Sequence, residues 1–444
     1  MSIELTNDSQ LTEVVPPLTR REAVEEALRC YYCYDAPCTK ACPTGIDIPM
    51  FIRHIATDDL VGSARTILHS NILGATCARI CPTEALCEGS CVRVKDSHAV
   101  SIGRLQRVAM DYVMAHEVPT LPRFTDLGSG RVAVIGAGPA GLGAAATLAR
   151  LGYAVDVYDR HDVAGGLDTY GIVSYREPLN VSLFEVDVVR KLGVTFHLGE
   201  VIDAARFRQL REQADAVVVA VGLGRVPKLE IPGEDLPGVY DALDLIEQTK
   251  TRPLAEINLG RRVAVIGAGN TAVDAATCAR RLGAEEVSIL YRRDESAMSA
   301  YSYEYEFAKQ DGVAYRWWTL PVEILGSSHV EAIRCVRTRV AEGDVSSRQS
   351  PLIRVSGSEF LMPVTSVIRA IGQEKEISLW QAIGAEMHDG RVVVDDVTYA
   401  TSIPGVYAAG DCLGRPGEAT VVQAVEDGKR VAHAIHQALA RQAS

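Results

Sequence analysis

Eight of the chain's eleven cysteines lie between Cys30 and Cys91, in two runs: Cys30-x2-Cys33-x4-Cys38-x3-Cys42-Pro43 and Cys77-x3-Cys81-Pro82-x4-Cys87-x3-Cys91. Crowded thiols constrain a fold strongly. The segment must turn back on itself so that cysteines far apart in sequence converge, and the space between them must hold either disulfides or soft metal. Compartment decides between the two. The first thirty residues carry six acids and no apolar h-region, so no secretory signal is expected. No apolar stretch reaches the roughly eighteen residues of a membrane helix. A cytoplasmic, reducing location is the expectation, and clustered thiols there serve metal more often than disulfides.

Among metal readings, structural zinc favours paired CxxC knuckles, and only Cys30-x2-Cys33 has that spacing. A redox CxxC would need a thioredoxin-like βαβ context, which this segment lacks. The Cys-Pro endings fit the runs that bind iron–sulfur clusters, where the cysteine before proline serves the other cluster. Two [4Fe–4S] clusters are expected, and counting alone gives each four cysteines. Cys278, Cys335 and Cys412 are scattered and read as small buried hydrophobes.

At 444 residues the chain exceeds one compact core. Its net charge of −12 disfavours nucleic acid or an anionic membrane surface as partner. Residues 1–20, with Pro16 and Pro17, read as an extended arm. Apolar residues recur at helical spacing over Arg21–Arg29, Ile48–Ala56, Ser63–His69 and Ile102–Ala115. A linker with Pro119, Pro122 and Gly128-Ser129-Gly130 follows. A strand–glycine turn–helix–strand unit then appears twice, at Val132–Tyr158 and, 131 residues later, at Val263–Leu290. The expected fold class is α/β: two nested Rossmann-like dinucleotide-binding domains preceded by an α-helical iron–sulfur domain. The expected bounds are 1–125 for the helical domain, 126–245 and 373–444 for the first nucleotide domain, and 246–372 for the second, inserted one. Tyr301–Phe307 reads as a helix face, and His54, His69 and His197 have no partners at ligand spacing.

In the first unit Gly136-x-Gly138-x-x-Gly141 joins strand to helix, and Asp159 follows Gly136 by 23 residues. Such a turn brings backbone N–H groups to a pyrophosphate, the helix N-terminus adds favourable charge, and the acid accepts from ribose hydroxyls. The second fingerprint is Gly267-x-Gly269-x-x-Ala272. Its second strand ends in Tyr291-Arg292-Arg293, where guanidinium suits a 2′-phosphate and so NADPH, although Asp294 and Glu295 dilute the charge. Two dinucleotides beside cluster-type cysteines suggest a conduit from nicotinamide through flavin to iron–sulfur. Hydride transfer between stacked rings needs alignment rather than a side-chain acid or base, so no catalytic residue is expected.

Taken in order, the motifs resemble the flavin-containing subunits of bacterial NAD-dependent dihydropyrimidine dehydrogenases, the N-terminal half of the eukaryotic enzyme and, more distantly, glutamate synthase small subunits. The resemblance rests on Arg29-Cys-x-x-Cys, Asp35-Ala-Pro-Cys, Ala41-Cys-Pro, Leu73-Gly-Ala-x-Cys-Ala-Arg-x-Cys-Pro-Thr-Glu, Ile102-Gly-Arg-Leu-Gln-Arg107, Gly136-Ala-Gly-Pro-Ala-Gly-Leu and Ala408-Ala-Gly-Asp411. It implies FAD in the first unit, on Gly136, Ala137, Gly138, Pro139, Ala140, Gly141, Asp159, Gly165, Gly166, Leu167, Arg176, Ile202, Gly410, Asp411, Thr420, Val421 and Val422. It implies NADP or NAD in the second, on Gly267, Ala268, Gly269, Asn270, Ala272, Arg292, Arg293, Ala370, Ile371 and Gly372. Ser299 stands where eukaryotic members have a third basic residue, and the proline usual after Ile172 is missing.

The resemblance also implies interleaved cluster ligands: Cys30, Cys33, Cys38 and Cys91 for one, and Cys42, Cys81, Cys87 and the amide oxygen of Gln106 for the other. Cys77 then has no ligand role, against the simple count of eight thiolates. As for partners, it implies a hetero-oligomer with an FMN-containing barrel-type catalytic subunit that carries its own ferredoxin-like clusters, since no segment here resembles such a barrel. That partner would interconvert uracil or thymine and their 5,6-dihydro forms. Docking is expected at edges near Arg79, Arg93 and Arg104. A glutamate synthase-type small subunit and a general NAD(P)H:ferredoxin oxidoreductase remain the alternatives.

Overall fold

The computed structural model describes residues 11, 13–116, 119–415 and 419–443, with side chains to 441. Of the expected arm, 1–10 and 12 lie outside these. The rest runs along the surface of the molecule, with the Val14 N–H donating to the Tyr175 carbonyl at 3.0 Å and Arg107 donating to the Val15 carbonyl at 2.5 Å.

Among the described residues six α-helices build the cysteine-bearing part: α1 (Arg20–Ala27), α2 (Pro37–Ala41), α3 (Ile48–Ala56), α4 (Leu60–Ser70), α5 (Gly74–Ile80) and α6 (Ile102–Ala115). Side-chain caps start three of them. Thr19 and Glu22 form a capping box on α1, Asp47 caps α3 and Asp59 caps α4. Ile48, Phe51, Ile52 and Ile55 bury one face of α3 against the shared core. The short helices α2 and α5 carry Cys38 and Cys77 and were not expected. With five and seven residues they are too short to show a period.

Next come β1 (Arg131–Ile135), α7 (Pro139–Arg150), β2 (Ala154–Asp159), α8 (Leu167–Tyr170), α9 (Leu179–Lys191), β3 (Thr195–Leu198), α10 (Ala204–Gln213) and β4 (Ala216–Val219). The second unit contributes β5 (Val239–Asp241), α11 (Ala242–Thr251), β6 (Arg262–Ile266), α12 (Asn270–Arg281), β7 (Glu286–Leu290), α13 (Ser302–Gln310) and β8 (Val313–Arg316). An antiparallel group, β9 (Thr319–Leu325), β10 (Ala332–Val340), β11 (Leu352–Arg354) and β12 (Phe360–Pro363), precedes β13 (Ser366–Arg369). The chain closes with α14 (Ser378–Ile383), β14 (Met387–His388), β15 (Arg391–Val392), β16 (Val406–Ala408) and α15 (Val421–Ala443).

Two five-stranded parallel sheets result, ordered β16-β4-β1-β2-β3 and β5-β13-β6-β7-β8. Because β16 pairs with β4, the C-terminal segment rejoins the first sheet. Val239–Asp241 is an edge strand of the second sheet, ahead of the start expected at 246. Three residues are too few to stand out as an apolar run. The β9–β12 group was also not expected, because its exposed strands alternate only weakly.

The N-terminal half of α15 lies across α7 at glycine-permitted distance. A methyl group on Gly428 would sit 2.1 Å from the Ala140 carbonyl oxygen, and one on Gly143 2.7 Å from that of Val425. This close crossing fixes where α15 begins relative to the glycine-rich turn that starts α7.

Candidate functional site

The glycines of the first turn divide into two kinds. Gly136 has φ +106°, and a methyl group there would meet the Ala220 carbonyl oxygen at 2.2 Å; on Gly141 it would meet that of Gly136 at 1.9 Å. These two close the turn. At Gly138 the nearest atom would be the Gly166 Cα, 3.7 Å away, so the space before this backbone is open. Gly138 caps α7 without a side-chain bond, and Pro139 follows, leaving first-turn N–H groups for an anion. The Gly165 N–H donates to the Ala137 carbonyl at 2.9 Å, laying the Gly165-Gly166-Leu167 loop against the turn. Gly410 abuts Ala140, and Thr420 accepts from the Gln423 N–H at the start of α15. Burial, and then Asp427, pushes the Asp411 carboxyl up to about 6. Three segments thus converge beyond the carboxyl ends of β1 and β16, where doubly wound sheets bind nucleotides. A cradle that a Cβ would obstruct fits a dinucleotide.

Two expected contacts are otherwise engaged. Asp159 at the end of β2 accepts from the Ala137 N–H at 2.7 Å and the His161 N–H at 2.9 Å, so it braces the turn. The Arg176 guanidinium pairs with Asp274 at 3.1 Å and Glu304 at 2.8 Å, tying the first unit to α12 and α13. Ile202 is half-buried against the first core.

The second turn repeats the division. A methyl group on Gly267 would lie 2.1 Å from the Ala370 carbonyl oxygen, whereas one on Gly269 would meet only the Ser299 hydroxyl, at 3.4 Å. Ala272, in the third position, is fully buried, and Asn270 accepts from the Tyr301 N–H at 3.0 Å. Ile371 and Gly372 lead away from β13, Ile371 exposed and Gly372 with φ +99°. The two arginines part company. Arg292 is exposed, while Arg293 is buried and donates to the carbonyls of Arg348 and Ser350 at 2.7 Å each.

Cys42, Cys81, Cys87 and Gln106 line one cavity together with Cys77, Asn71 and Val422. The Gln106 Nε2 donates to the Gly74 carbonyl at 2.7 Å, which leaves its Oε1 as the free acceptor. Both contenders for the eighth ligand position therefore face the same space. Cys30, Cys38 and Cys91 form a second group close enough to feel one another's charge, with Cys33 beside Cys30, and Cys38 also neighbours Cys87. Burial pushes the Cys38 thiol up to about 11 and that of Cys87 higher still. Thiols so buried ionise only beside a compensating positive charge. Among the described residues no three His, Cys, Asp or Glu side chains converge as a single bound ion would require. Arg79, expected at an exposed edge, is instead buried between Glu13 and Asp111, at 2.8 and 2.6 Å.

Residues 130–428 match the pyridine nucleotide-disulphide oxidoreductase family. The chain belongs to that family. Residues 7–118 match a second family, dihydropyrimidine dehydrogenase domain II, 4Fe-4S cluster. The NAD-dependent dihydropyrimidine dehydrogenase subunit PreT of Escherichia coli (strain K12) is 34% identical, over 98% of both chains. The glutamate synthase [NADPH] small chain of Halomonas elongata is also 34% identical, over 97% of this chain and 93% of that one. The longer oxidoreductase AegA of E. coli is 36% identical over 95% of this chain, which spans 66% of its length. In fold, FprA of Mycobacterium tuberculosis in complex with NADPH superposes with a TM-score of 0.58, over 71% of this chain and 86% of that one, at 21% identity. The protein is thus an oxidoreductase using NAD(P)H, FAD and 4Fe–4S chemistry. No helix among the described residues is long and apolar enough to cross a membrane.

In this oxidoreductase a buried carboxyl cluster joins the cysteine-bearing part to the first sheet. Glu185 of α9 accepts from the N–H groups of Ala75 and Thr76 at 2.6 and 3.2 Å, capping α5, whose own N-cap Leu73 offers no side-chain acceptor. The Thr76 hydroxyl lies 2.6 Å from both Glu177 and Glu185. One hydroxyl proton serves one of these contacts, so the other needs a protonated carboxyl as donor. Burial accordingly pushes Glu177 up to about 7 and Glu185 up to about 8. Sequence reading missed these residues, because nothing near them in the chain marks them.

Two outcomes are expected. Gly138→Val should abolish FAD retention while leaving the Tm of the flavin-free protein nearly unchanged, since its side chain enters the open cradle rather than a packed contact; a lower Tm than flavin-free wild type would place Gly138 with the structural glycines. For Glu185, the folded chain holds a proton that the unfolded chain releases near pH 4.5. Its contribution to stability is therefore present below that pH and is lost as pH rises toward 8. Glu185→Gln should flatten the decline in Tm between pH 5 and 8.5 (roughly the window those values span), and an unchanged slope would remove Glu185 from that role.

Proposed function

We propose that the chain is the electron-input subunit of a dihydropyrimidine dehydrogenase. It would hold FAD on the first unit, NAD(P)H on the second, and two 4Fe–4S clusters, one on Cys30, Cys33, Cys38 and Cys91 and one on Cys42, Cys81, Cys87 and Gln106. The observation that carries this reading is the position of Val422. It lies in the segment that follows Asp411 beside the flavin cradle, and it also lines the Cys42–Cys81–Cys87–Gln106 cavity. When bound, FAD takes a hydride from NAD(P)H and gives up its electrons singly, which iron–sulfur clusters carry onward.

The chain's own residues orient and exclude. Gly138 and Gly269 admit the two pyrophosphates, and the α7 and α12 N-termini attract them. Arg176, Asp274 and Glu304 hold the two units in register, as alignment of two rings requires. Arg292 is left to meet a 2′-phosphate alone, which supports a weaker preference for NADPH than two arginines would give. The partner is an FMN-containing barrel-type subunit with its own clusters that interconverts uracil or thymine and the 5,6-dihydro forms. The full-length similarity to PreT and the Ile102–Arg107 motif support this. The equal identity to a glutamate synthase small chain supports a second reading, in which the partner carries an amidotransferase.

The anaerobically purified chain should oxidise NAD(P)H with ferricyanide or a viologen yet leave uracil and thymine unchanged until a barrel-type subunit is added. Pyrimidine reduction by the chain alone would overturn this division of labour, and activation only by an amidotransferase subunit would favour the second reading. On the ligands, Cys77→Ala should retain the full iron and sulfide content, whereas Gln106→Leu should lose or alter one cluster in low-temperature EPR. The reverse result would restore the eight-thiolate count.

A further inference from the structure

The connection between β10 and β11, residues 341–351, is fastened from within and from without. The Ala341 N–H donates to the Pro351 carbonyl at 2.9 Å and closes its neck, while the Ser350 hydroxyl donates to the Asp344 carbonyl at 2.7 Å across its middle. Arg293, which follows β7, is buried against this loop and donates from Nη2 to the carbonyls of Arg348 and Ser350 at 2.7 Å each. The Thr338 hydroxyl of β10 donates to the Arg292 carbonyl, also at 2.7 Å. Both members of the arginine pair are thus tied to the hairpin that carries the loop, and the loop is ordered before any ligand arrives.

This fastening brings another cation to the end of β7. Arg348 is exposed and, like Arg292, forms no ion pair among the described residues. Burial pushes the Tyr291 hydroxyl up, while the guanidinium groups of Arg293, Arg348 and Arg292 pull it down, so all of these charges lie within range of one side chain at the strand end. The acids of the neighbourhood, Asp294, Glu295, Glu342 and Asp344, offset these cations in number. Asp294 accepts from the Ser296 hydroxyl at 2.6 Å, Glu295 from that of Tyr305 at 3.0 Å and Asp344 from that of Ser346 at 2.8 Å. No broad positive field results. Selection of an anion here has to come from direct contact with the two unpaired guanidinium groups.

We propose that Arg348 contacts the 2′-phosphate of NADPH together with Arg292, and so sets the preference for NADPH over NADH from outside the nucleotide fingerprint. The inference rests on the reading above that the second unit holds NAD(P)H. In a βαβ unit the group that reads the adenosine ribose stands at the end of the second strand, here β7. Within the fingerprint Arg292 is the single arginine left for that role, because Arg293 is spent on loop carbonyls. Arg348 restores a second cation from a different element, and Arg293 acts by holding the loop that carries it. Two planar forks on one dianion give charge-assisted hydrogen bonds that a bare 2′-hydroxyl cannot match.

The test uses the anaerobically purified, full-length holoprotein and two nucleotide probes: adenosine 2′,5′-bisphosphate, which carries the 2′-phosphate, and 5′-AMP, which lacks it. By calorimetry wild type should bind the bisphosphate more tightly. Arg348→Ala should weaken that binding about tenfold and leave 5′-AMP unchanged. In turnover with ferricyanide the same variant should raise KM for NADPH by a similar factor, with kcat and the KM for NADH unaltered. Arg348→Lys, which keeps the charge but loses the fork, should fall between. Bisphosphate affinity within about twofold of wild type in Arg348→Ala would overturn the proposal. So would an equal loss of both probes, because the loop would then matter only as structure, or a wild type that does not distinguish them. Wild type that binds neither probe and oxidises neither NADPH nor NADH would instead sink the reading of the second unit.

Discussion

The crossing of α15 over α7 is the constraint on which the rest of the arrangement depends. Helices normally keep 8–10 Å between axes because side chains intervene. Here Gly143 and Gly428 remove the side chain at the points of contact, and backbone meets backbone. Two consequences follow from one packing choice. The start of α15 is drawn up to the glycine-rich turn, so Thr420–Val422 sits beside the dinucleotide cradle. The same start reaches the cysteine cavity, which Val422 lines. A bulkier residue at either glycine would separate two sites that short-range electron transfer needs close together.

Around that crossing, carboxylates and arginines placed out of water set the orientation of the parts. Glu185 caps α5 from α9, and Glu177 meets Thr76 from the opposite side, so the cysteine-bearing helices are keyed to the first sheet by groups that tolerate no other position. Arg176 does the same for the second unit through Asp274 and Glu304, and the buried Lys250 donates to the Asp168 carbonyl at 2.7 Å. Such pairs add little net stability, since desolvation offsets the attraction, but a displaced partner leaves a buried charge unmatched. They therefore act on geometry more than on stability, which suits a protein whose chemistry depends on ring alignment.

How far the sequence disclosed this depended on the range of the physics involved. Both glycine turns and both β-branched strands flanking them were legible, because the backbone requirement and the residues that meet it are adjacent. The grouping of Cys42, Cys81 and Cys87, which line one cavity, was implied by the family resemblance, whereas the Cys-Pro spacing carried only the expectation of clusters. The short helix α5 was not legible, since its cap comes from Glu185, 110 residues downstream of Ala75. Nor was the separation of Arg292 from Arg293. Their adjacency suggested a joint reader, but Arg293 turns inward to carbonyls of a loop more than fifty residues on. Arg79 misled for the same reason: its partners Glu13 and Asp111 come from distant segments.

Electrostatics rather than counting supports the proposal that Gln106, and not Cys77, is the eighth ligand. Cys77 is almost fully buried, and Cys81, burial and Glu185 all push its thiol well above the ordinary range. Ionising it would set another negative charge beside Cys81 and Glu185. Gln106 offers an oxygen without charge, and the bond from its Nε2 to the Gly74 carbonyl orients that oxygen in advance. A cluster held by three thiolates and one neutral amide would carry one negative charge fewer than a four-thiolate cluster. Beside Cys81 and Glu185 that difference favours the amide in the proposed ligand set.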